Sequence, residues 1–366
     1  MRGSLQSTPF TNAIRQRVRG LLITSLLLAA CGSSPLPGPR TSIPAGSPQD
    51  STLADETPVS VPVETRVPFP SDSAVTEATQ AIVGFGSIWI PQLGLPHGWV
   101  MRIGASTRRL EARVPVGAAP GSLAIADGSV WVANTLGGAP PGAGANTLSR
   151  IDPISNRVTA TVRVDVGGPI AGGFGAIFVP GLETDGTPLR RVDAHTKKVV
   201  ASFPLTGVPS IACGMLWLTR TLVLDREPYP GVISRIEPET GARTASLVVT
   251  EGSAPPADAD GSCIALTGPN SASEEPTESW IGTLDRSGKS MRRSPKVAFR
   301  TAIMAGHLWI RRLGGIVQRI DVQARTDGPL LRLPIEEAAT DNWTIVTVDG
   351  QLWVVGPRSA ARIRLD

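Results

Sequence analysis

The residues of this chain with the greatest capacity for chemistry are three histidines, His97, His195 and His307, and three cysteines, Cys31, Cys213 and Cys263. A metal site needs three or four such ligands brought together, and general acid–base work needs a histidine within reach of a carboxylate. The histidines are dispersed, each in its own stretch of chain, with no paired-cysteine metal motif, Gly-x-Ser-x-Gly elbow or phosphate-binding loop beside them. Neither a bound metal nor another cofactor is expected from this pattern. Cys213 directly precedes Gly214, and Cys263 follows Gly261 by two residues, so both stand beside the same kind of turn. In an oxidising compartment a disulfide between them is one reading, and two free thiols are the other.

Elements that could position these residues emerge from a repeat. The phrase glycine-x-apolar-aromatic occurs as GSIW at Gly86, GSVW at Gly128, GAIF at Gly175 and GMLW at Gly214. It continues as GSCI at Gly261, GHLW at Gly306 and GQLW at Gly350. Its last slot is Trp89, Trp131, Phe178, Trp217, Ile264, Trp309 and Trp353, at a mean spacing of 44 residues. Each glycine joins two apolar, β-branched segments, which is a hairpin signal. A third segment follows as an Arg-apolar-acid phrase at Arg150, Arg191, Arg235, Arg319 and Arg364, with RIG at Arg102 and TLD at Thr283 in the first and fifth units. A fourth apolar segment closes most units. Four short strands repeated seven times predict an all-β chain, a seven-bladed β-propeller with four antiparallel strands per blade.

The last unit ends at Asp366 without a fourth strand, and Ser60–Phe69 is a strand candidate that precedes the first unit. That segment is expected to close the last blade and so hide its open edge. The recurring aromatic is expected to pack into the neighbouring blade, since a ligand cage would gather aromatics at one point. The acids Asp152, Asp193, Glu237, Asp285 and Asp321 are expected to fix the turns that follow them, with the arginines two residues earlier as local ion-pair partners.

The first thirty residues stand apart. Arg2, Arg15, Arg17 and Arg19 precede the apolar run Leu21–Ala30, a pattern read as an export signal too short to span a bilayer. Leu28-Ala29-Ala30-Cys31 resembles a bacterial lipobox, and the resemblance implies cleavage before Cys31 and lipidation of its thiol. Acyl chains at about 0.8 kcal/mol per buried methylene would anchor the protein to a cell or outer membrane, facing periplasm or exterior. The formal charge of +4 comes wholly from those four arginines, leaving 31 basic and 31 acidic residues afterwards, so no attraction to nucleic acid is expected. Residues 31–59, rich in Pro, Ser, Gly and Thr, read as a flexible tether, and residues 60–366 as the propeller.

The hairpin phrase and its acid-bearing turns resemble YVTN-type repeats and the streptogramin (virginiamycin B) lyase-like propellers across residues 60–366. The resemblance implies the propeller fold, and its lyase branch implies a histidine–glutamate constellation that His97, His195 and His307 do not match. The expected function is therefore a non-catalytic binding or scaffold module for a protein or extracellular ligand. The alternatives are a lyase or hydrolase of that branch and a cell-envelope sensor or assembly component. Long departures from the repeat between second and third strands nominate a binding face: Asp225, Arg226, Glu227 and Tyr229, Glu274 and Glu275, with Arg311 and Arg312.

Overall fold

In six of the repeats the first two strands are joined by a two-residue turn whose central residues are described and adopt the left-handed conformation. Asp127 and Gly128 have φ of 48° and 64°, Cys213 and Gly214 of 54° and 68°, and Asp349 and Gly350 of 48° and 72°. Two positive φ values in succession match the right-handed twist of the flanking strands, and glycine reaches that region without steric cost. This requirement explains why the repeat is legible through its glycine.

The structure, a computed structural model, describes residues 57–72, 81–135, 146–181, 188–221, 230–249, 254–267, 277–293, 297–299, 301–304, 307–312, 315–322, 326–333 and 343–365. All of them lie within one compact unit, Leu53–Asp366. They form seven sheets built on four antiparallel strands, and in blades one to six those four follow one another in chain order. Blade one, for example, holds Ile82–Gly84, Ser87–Gln92, Gly98–Gly104 and Arg109–Val116. Blade four holds Val208–Ala212, Met215–Thr221, Gly231–Ile236 and Arg243–Val249. The seven blades complete a propeller ring, as the repeat predicted.

Seven apolar clusters make up the core, one at each seam between blades. Trp89 is fully buried with Val100 and Val114 of its own blade and Leu123, Val130 and Ile151 of blade two. Trp131, Phe178, Trp217, Ile264, Trp309 and Trp353 occupy the other six seams. The repeated aromatic is a seam residue, as expected.

Closure differs from expectation in one respect. The N-terminal segment forms two strands where one was expected. Val63–Pro68 pairs antiparallel with Ser359–Ile363 and completes blade seven. Just before it, Val59–Ser60 pairs parallel with Thr326–Arg332 and adds a fifth strand to blade six. Pro62, which has no N–H to give a ladder, sits where the chain leaves one blade for the next. The segment is thus stitched to two blades. In blade five the outer strand comes in two pieces, Met291–Arg293 and Val297–Phe299, both paired with Thr277–Leu284. The sequence pattern had left that strand unassigned.

Val67, only 5% exposed, packs in the closing seam with Ile88, Trp353 and Val355. Val67→Asp would place an unpaired carboxylate there, at a cost of about 3 kcal/mol or more. Urea unfolding of the variant should show the whole ring melting at a lower midpoint. A midpoint equal to that of the native chain would mean that the clasp does not hold the ring shut.

Candidate functional site

The strand register places an arginine directly opposite the aromatic of almost every blade. Trp89 faces Arg102, Trp131 faces Arg150, Phe178 faces Arg191 and Trp217 faces Arg235. Trp309 faces Arg319, and Trp353 faces Arg362, so the seventh-blade counterpart is Arg362 and the phrase at Arg364 lies two residues out of frame. In blade five Ile264 faces Thr283, and both members of the pair are replaced together. Residues opposed in this way share a sheet face and can stack.

These arginines were expected to pair with the acid two residues on. Several instead cross the seam. The guanidinium of Arg102 lies 5.1 Å from the ring centre of Trp89. It donates to Asn156 Oδ1 of blade two at 2.9 Å and, in a short contact, to the Pro153 carbonyl. Arg191 reaches Glu239 of blade four at 2.8 Å, and Arg235 donates to the Arg286 carbonyl of blade five at 3.1 Å. Each lands on the turn between the third and fourth strands of the next blade. The long side chain can pass over the aromatic ring, while the shorter acid reaches only its own turn. Asp152 accepts the Ile154 N–H at 2.9 Å and the Ser155 hydroxyl at 2.8 Å. Asp193 accepts the Thr196 N–H and hydroxyl at 2.6 and 2.7 Å.

Those turn bonds favour the ionised acids. The Ile154 N–H lowers the Asp152 pKa, and the Thr196 N–H does the same for Asp193. Hydrogen bonds from the hydroxyls of Ser290 and Ser287 bring Asp285 down to about 2. These carboxylates are anions across the neutral range and serve as turn caps.

In blade two Arg150 stays within its own blade, where it pairs with Asp127 at 3.4 Å, and blades five to seven depart further from the arrangement. Thr283 is too short to reach blade six. Arg319 points back to blade five, where it meets Asp260 Oδ1 at 3.2 Å. His307 Nδ1 makes a short contact with the same oxygen, so one blade-five carboxylate binds two residues of blade six. At the closing seam Arg362 pairs with Glu64 at 2.9 Å, and Glu64 pairs with Arg108 of blade one at 3.0 Å. At the seam between blades six and seven lies a cavity of about 500 Å³, lined among others by Val61, Pro62, Trp309, Arg319, Arg364 and Leu365. That volume is in the range of small-ligand and peptide-anchor pockets.

The other chemically capable residues do not converge. His97 and His195 are exposed on blades one and three, far in the ring order from His307. Among the described residues no group of three or more His, Cys, Asp or Glu could hold a metal ion. Cys213 and Cys263 are free thiols packed at the seam of blades four and five. The Cys213 N–H donates to Asp258 Oδ1 at 2.8 Å. Burial pushes both thiols up from the ordinary range, so each holds its proton at neutral pH. Of the proposed binding-face residues, Asp225, Arg226, Glu227, Tyr229, Glu274 and Glu275 lie outside the described residues, as does Cys31. Arg311 and Arg312 belong to the second strand of blade six, opposite Val317 and Ile316. Sequence reasoning missed Glu64, Asp260 and Arg362 as cross-seam partners. Arg362 is recognisable only once the register sets it opposite Trp353, and Glu64 and Asp260 only through the ion pairs they make.

No protein-family model matches the chain, and no curated protein matches it. Among solved structures, Kuenenia stuttgartiensis hydrazine synthase is similar with a TM-score of 0.56 at 11% identity, covering 86% of this chain and 99% of that one. The Myceliophteria thermophila Cps50 (Swd1) β-propeller domain gives 0.54 at 8% identity, over 81% and 98% of the two chains. The Neurospora crassa Pan2 WD40 domain gives 0.53 at 9% identity, over 79% and 90%. At these identities the likeness is one of fold alone.

Two measurements test this account of the seams. A Cβ on Gly288 would stand 2.9 Å from Cζ3 of Trp217, whereas one on Gly350 would meet nothing within 4 Å, at nearly equal φ. Gly350→Ala should cost about 1 kcal/mol from backbone strain, and Gly288→Ala about 1 kcal/mol or more beyond that from the clash with the ring. Equal losses in urea titrations would exclude turn-on-tryptophan packing. For Asp285 the folded pKa lies below the unfolded one, so its contribution is present above about pH 4 and lost as pH falls toward about 2. The stability gap between the native chain and Asp285→Asn should therefore shrink from pH 5 to pH 2, and a gap independent of pH would overturn the capping role.

Proposed function

We propose that the protein is a lipid-anchored, extracytoplasmic propeller that binds a protein partner and performs no chemistry itself. The observation that carries the binding reading is the contrast between seams. In blades one, three and four the arginine joins one blade to the next, in blade two it pairs with Asp127 of its own hairpin, and acids cap turns, so these charged groups are committed to the frame. Where blades six and seven meet, the pattern is released and a cavity of about 500 Å³ takes its place. Thiols that keep their protons and carboxylates that stay ionised are poor nucleophiles and poor proton relays at neutral pH, which agrees with a role in binding.

The anchor rests on Leu28-Ala29-Ala30-Cys31 and the apolar run before it. A binding module held at a membrane gains effective concentration toward partners on the same surface, which suits a scaffold or assembly component. Export would also place Cys213 and Cys263 where a disulfide can form across the seam of blades four and five.

The reading is tested in cells fed a labelled fatty acid. The native chain should carry the label and sediment with membranes, and Cys31→Ala should lose both. Crosslinking in the same cells should recover a recurring protein partner from the native chain. Membrane retention without label would remove the lipid anchor from the reading. A crosslinked sample with no recurring partner would remove the scaffold.

A further inference from the structure

Beyond Cys31 the chain holds two cysteines, and the fold brings them together. A buried side chain touches about 6–12 others, so two cysteines placed independently in a ring of roughly 300 residues would meet in only a few per cent of cases. Each also departs from the repeat. Cys263 fills the slot held elsewhere by Ile88, Val130, Ile177, Leu216, Leu308 and Leu352, where cysteine serves as a small apolar residue. Cys213 is different. It is half-buried at the first position of a hairpin turn, at φ 54°, where Asp127, Asp260 and Asp349 stand in other blades. Nothing in its own hairpin calls for a thiol, and its counterpart lies across the seam.

The strand register fixes that counterpart. Asp258 and Cys263 oppose one another in the first hairpin of blade five, so their side chains leave the same face of the sheet. The Cys213 N–H of blade four donates to Asp258 Oδ1 at 2.8 Å, which holds the turn against that face. Cys213, Cys263 and Trp217 share one apolar cluster there. Burial is the main influence raising both thiols, and the next on each is a hydrogen bond with the other. The two sulfurs therefore face one another across the seam.

We infer that Cys213 and Cys263 are a modification site, an interblade disulfide that staples the seam of blades four and five and is made while that seam is still open. The step is exchange with an external disulfide, R–S–S–R, such as that of an oxidoreductase or of oxidised glutathione. The half-buried Cys213 loses its proton, and its thiolate attacks one sulfur to give a mixed disulfide and release RS⁻. Cys263 then loses its proton and attacks the Cys213 sulfur, which closes the protein bond and releases the second RS⁻. Two electrons and two protons thus pass from the cysteine pair to the external disulfide, which leaves as two thiols. Timing follows from burial. Once the seam is packed the thiols hold their protons and attack slowly, whereas in the open chain they react as ordinary cysteines. The bond closes the loop between residues 213 and 263 and so restricts the unfolded chain. Only the compartment that supplies the oxidant rests on the export reading above.

The test uses the detergent-solubilised full chain, reduced and then equilibrated in glutathione buffers, with free thiols trapped by a maleimide before digestion and mass spectrometry. A peptide linking Cys213 to Cys263 is expected, and it should survive an excess of reduced over oxidised glutathione of about tenfold. The folded chain should form the link about tenfold faster per unit rise in pH near neutrality, and a chain refolding from urea should form it faster still. The oxidised chain should have a higher urea midpoint than the reduced one, and Cys213→Ser should have the same midpoint in oxidising and reducing buffer. Glutathione adducts in place of the link, or a bond to Cys31 or to a second copy, would overturn the inference. So would equal midpoints of the oxidised and reduced native chain, or oxidation of the folded chain as fast as during refolding. In cells, a chain that carries the fatty-acid label but has two trappable thiols would overturn it and leave the anchor standing. A chain without the label that still forms the link in glutathione would remove the anchor and leave the inference standing.

Discussion

Everything in this structure depends on the contact that one blade makes with the next through its second-strand aromatic. A four-stranded sheet of short strands cannot bury both faces by itself, and a single large ring such as tryptophan brings on the order of 150–250 Å² into the seam. All seven core clusters lie at seams, so no blade has a core of its own. The ring is the smallest unit that satisfies every blade, and a last seam left open would expose apolar surface on two blades at once. The N-terminal clasp closes that seam through Val67 and Phe69, while the Glu64 carboxylate links Arg362 of blade seven to Arg108 of blade one.

The features legible in the sequence were those imposed by backbone geometry or by bulk. Gly128 and Gly350 mark their hairpins because the left-handed conformation favours glycine, and Trp131 marks its seam because only a large ring fills it. Features set by side-chain direction were not legible. Arg191 and its acid Asp193 looked local in the sequence, yet the arginine runs across the seam to Glu239, because the register sets it opposite Phe178. Blade seven was read two residues out of frame, since Arg362 and Arg364 both suit the phrase and only the pairing of Trp353 with Arg362 decides between them. The outer strand of blade five left no continuous alternation because it is two short pieces. The binding-face residues chosen for departing from the repeat fall mostly outside the described residues, whereas the departure that the structure does describe lies at the seams of blades five to seven.

That departure follows from closure itself. A ring of hairpins closed by a strand from the far end of the chain has one blade without a hairpin between its third and fourth strands. Wherever such a turn receives the preceding blade's arginine, one seam must go without that contact. Here the affected seam carries further changes: Arg319 turns back to Asp260, and Val59–Ser60 extends blade six. Both changes tie blade six to its surroundings, while Trp309 stays buried at 2% exposure. The asymmetry of an otherwise regular ring is thus a product of its topology and does not need a separate origin.

A site of this kind couples binding to the frame. Its lining joins the segment just before the clasp to the segment just after the third strand of blade seven, through Pro62 and Leu365. Any ligand that binds only the closed ring must stabilise it, by about 2.7 kcal/mol at a concentration one hundred times its Kd. The same linkage works in reverse. Whatever loosens the clasp raises the cost of binding, because the cavity exists only while Val63–Pro68 is paired with blade seven. The strand that closes the fold runs directly on from one wall of the cavity, Val59, Ser60, Val61 and Pro62, so closure and the cavity depend on one continuous segment.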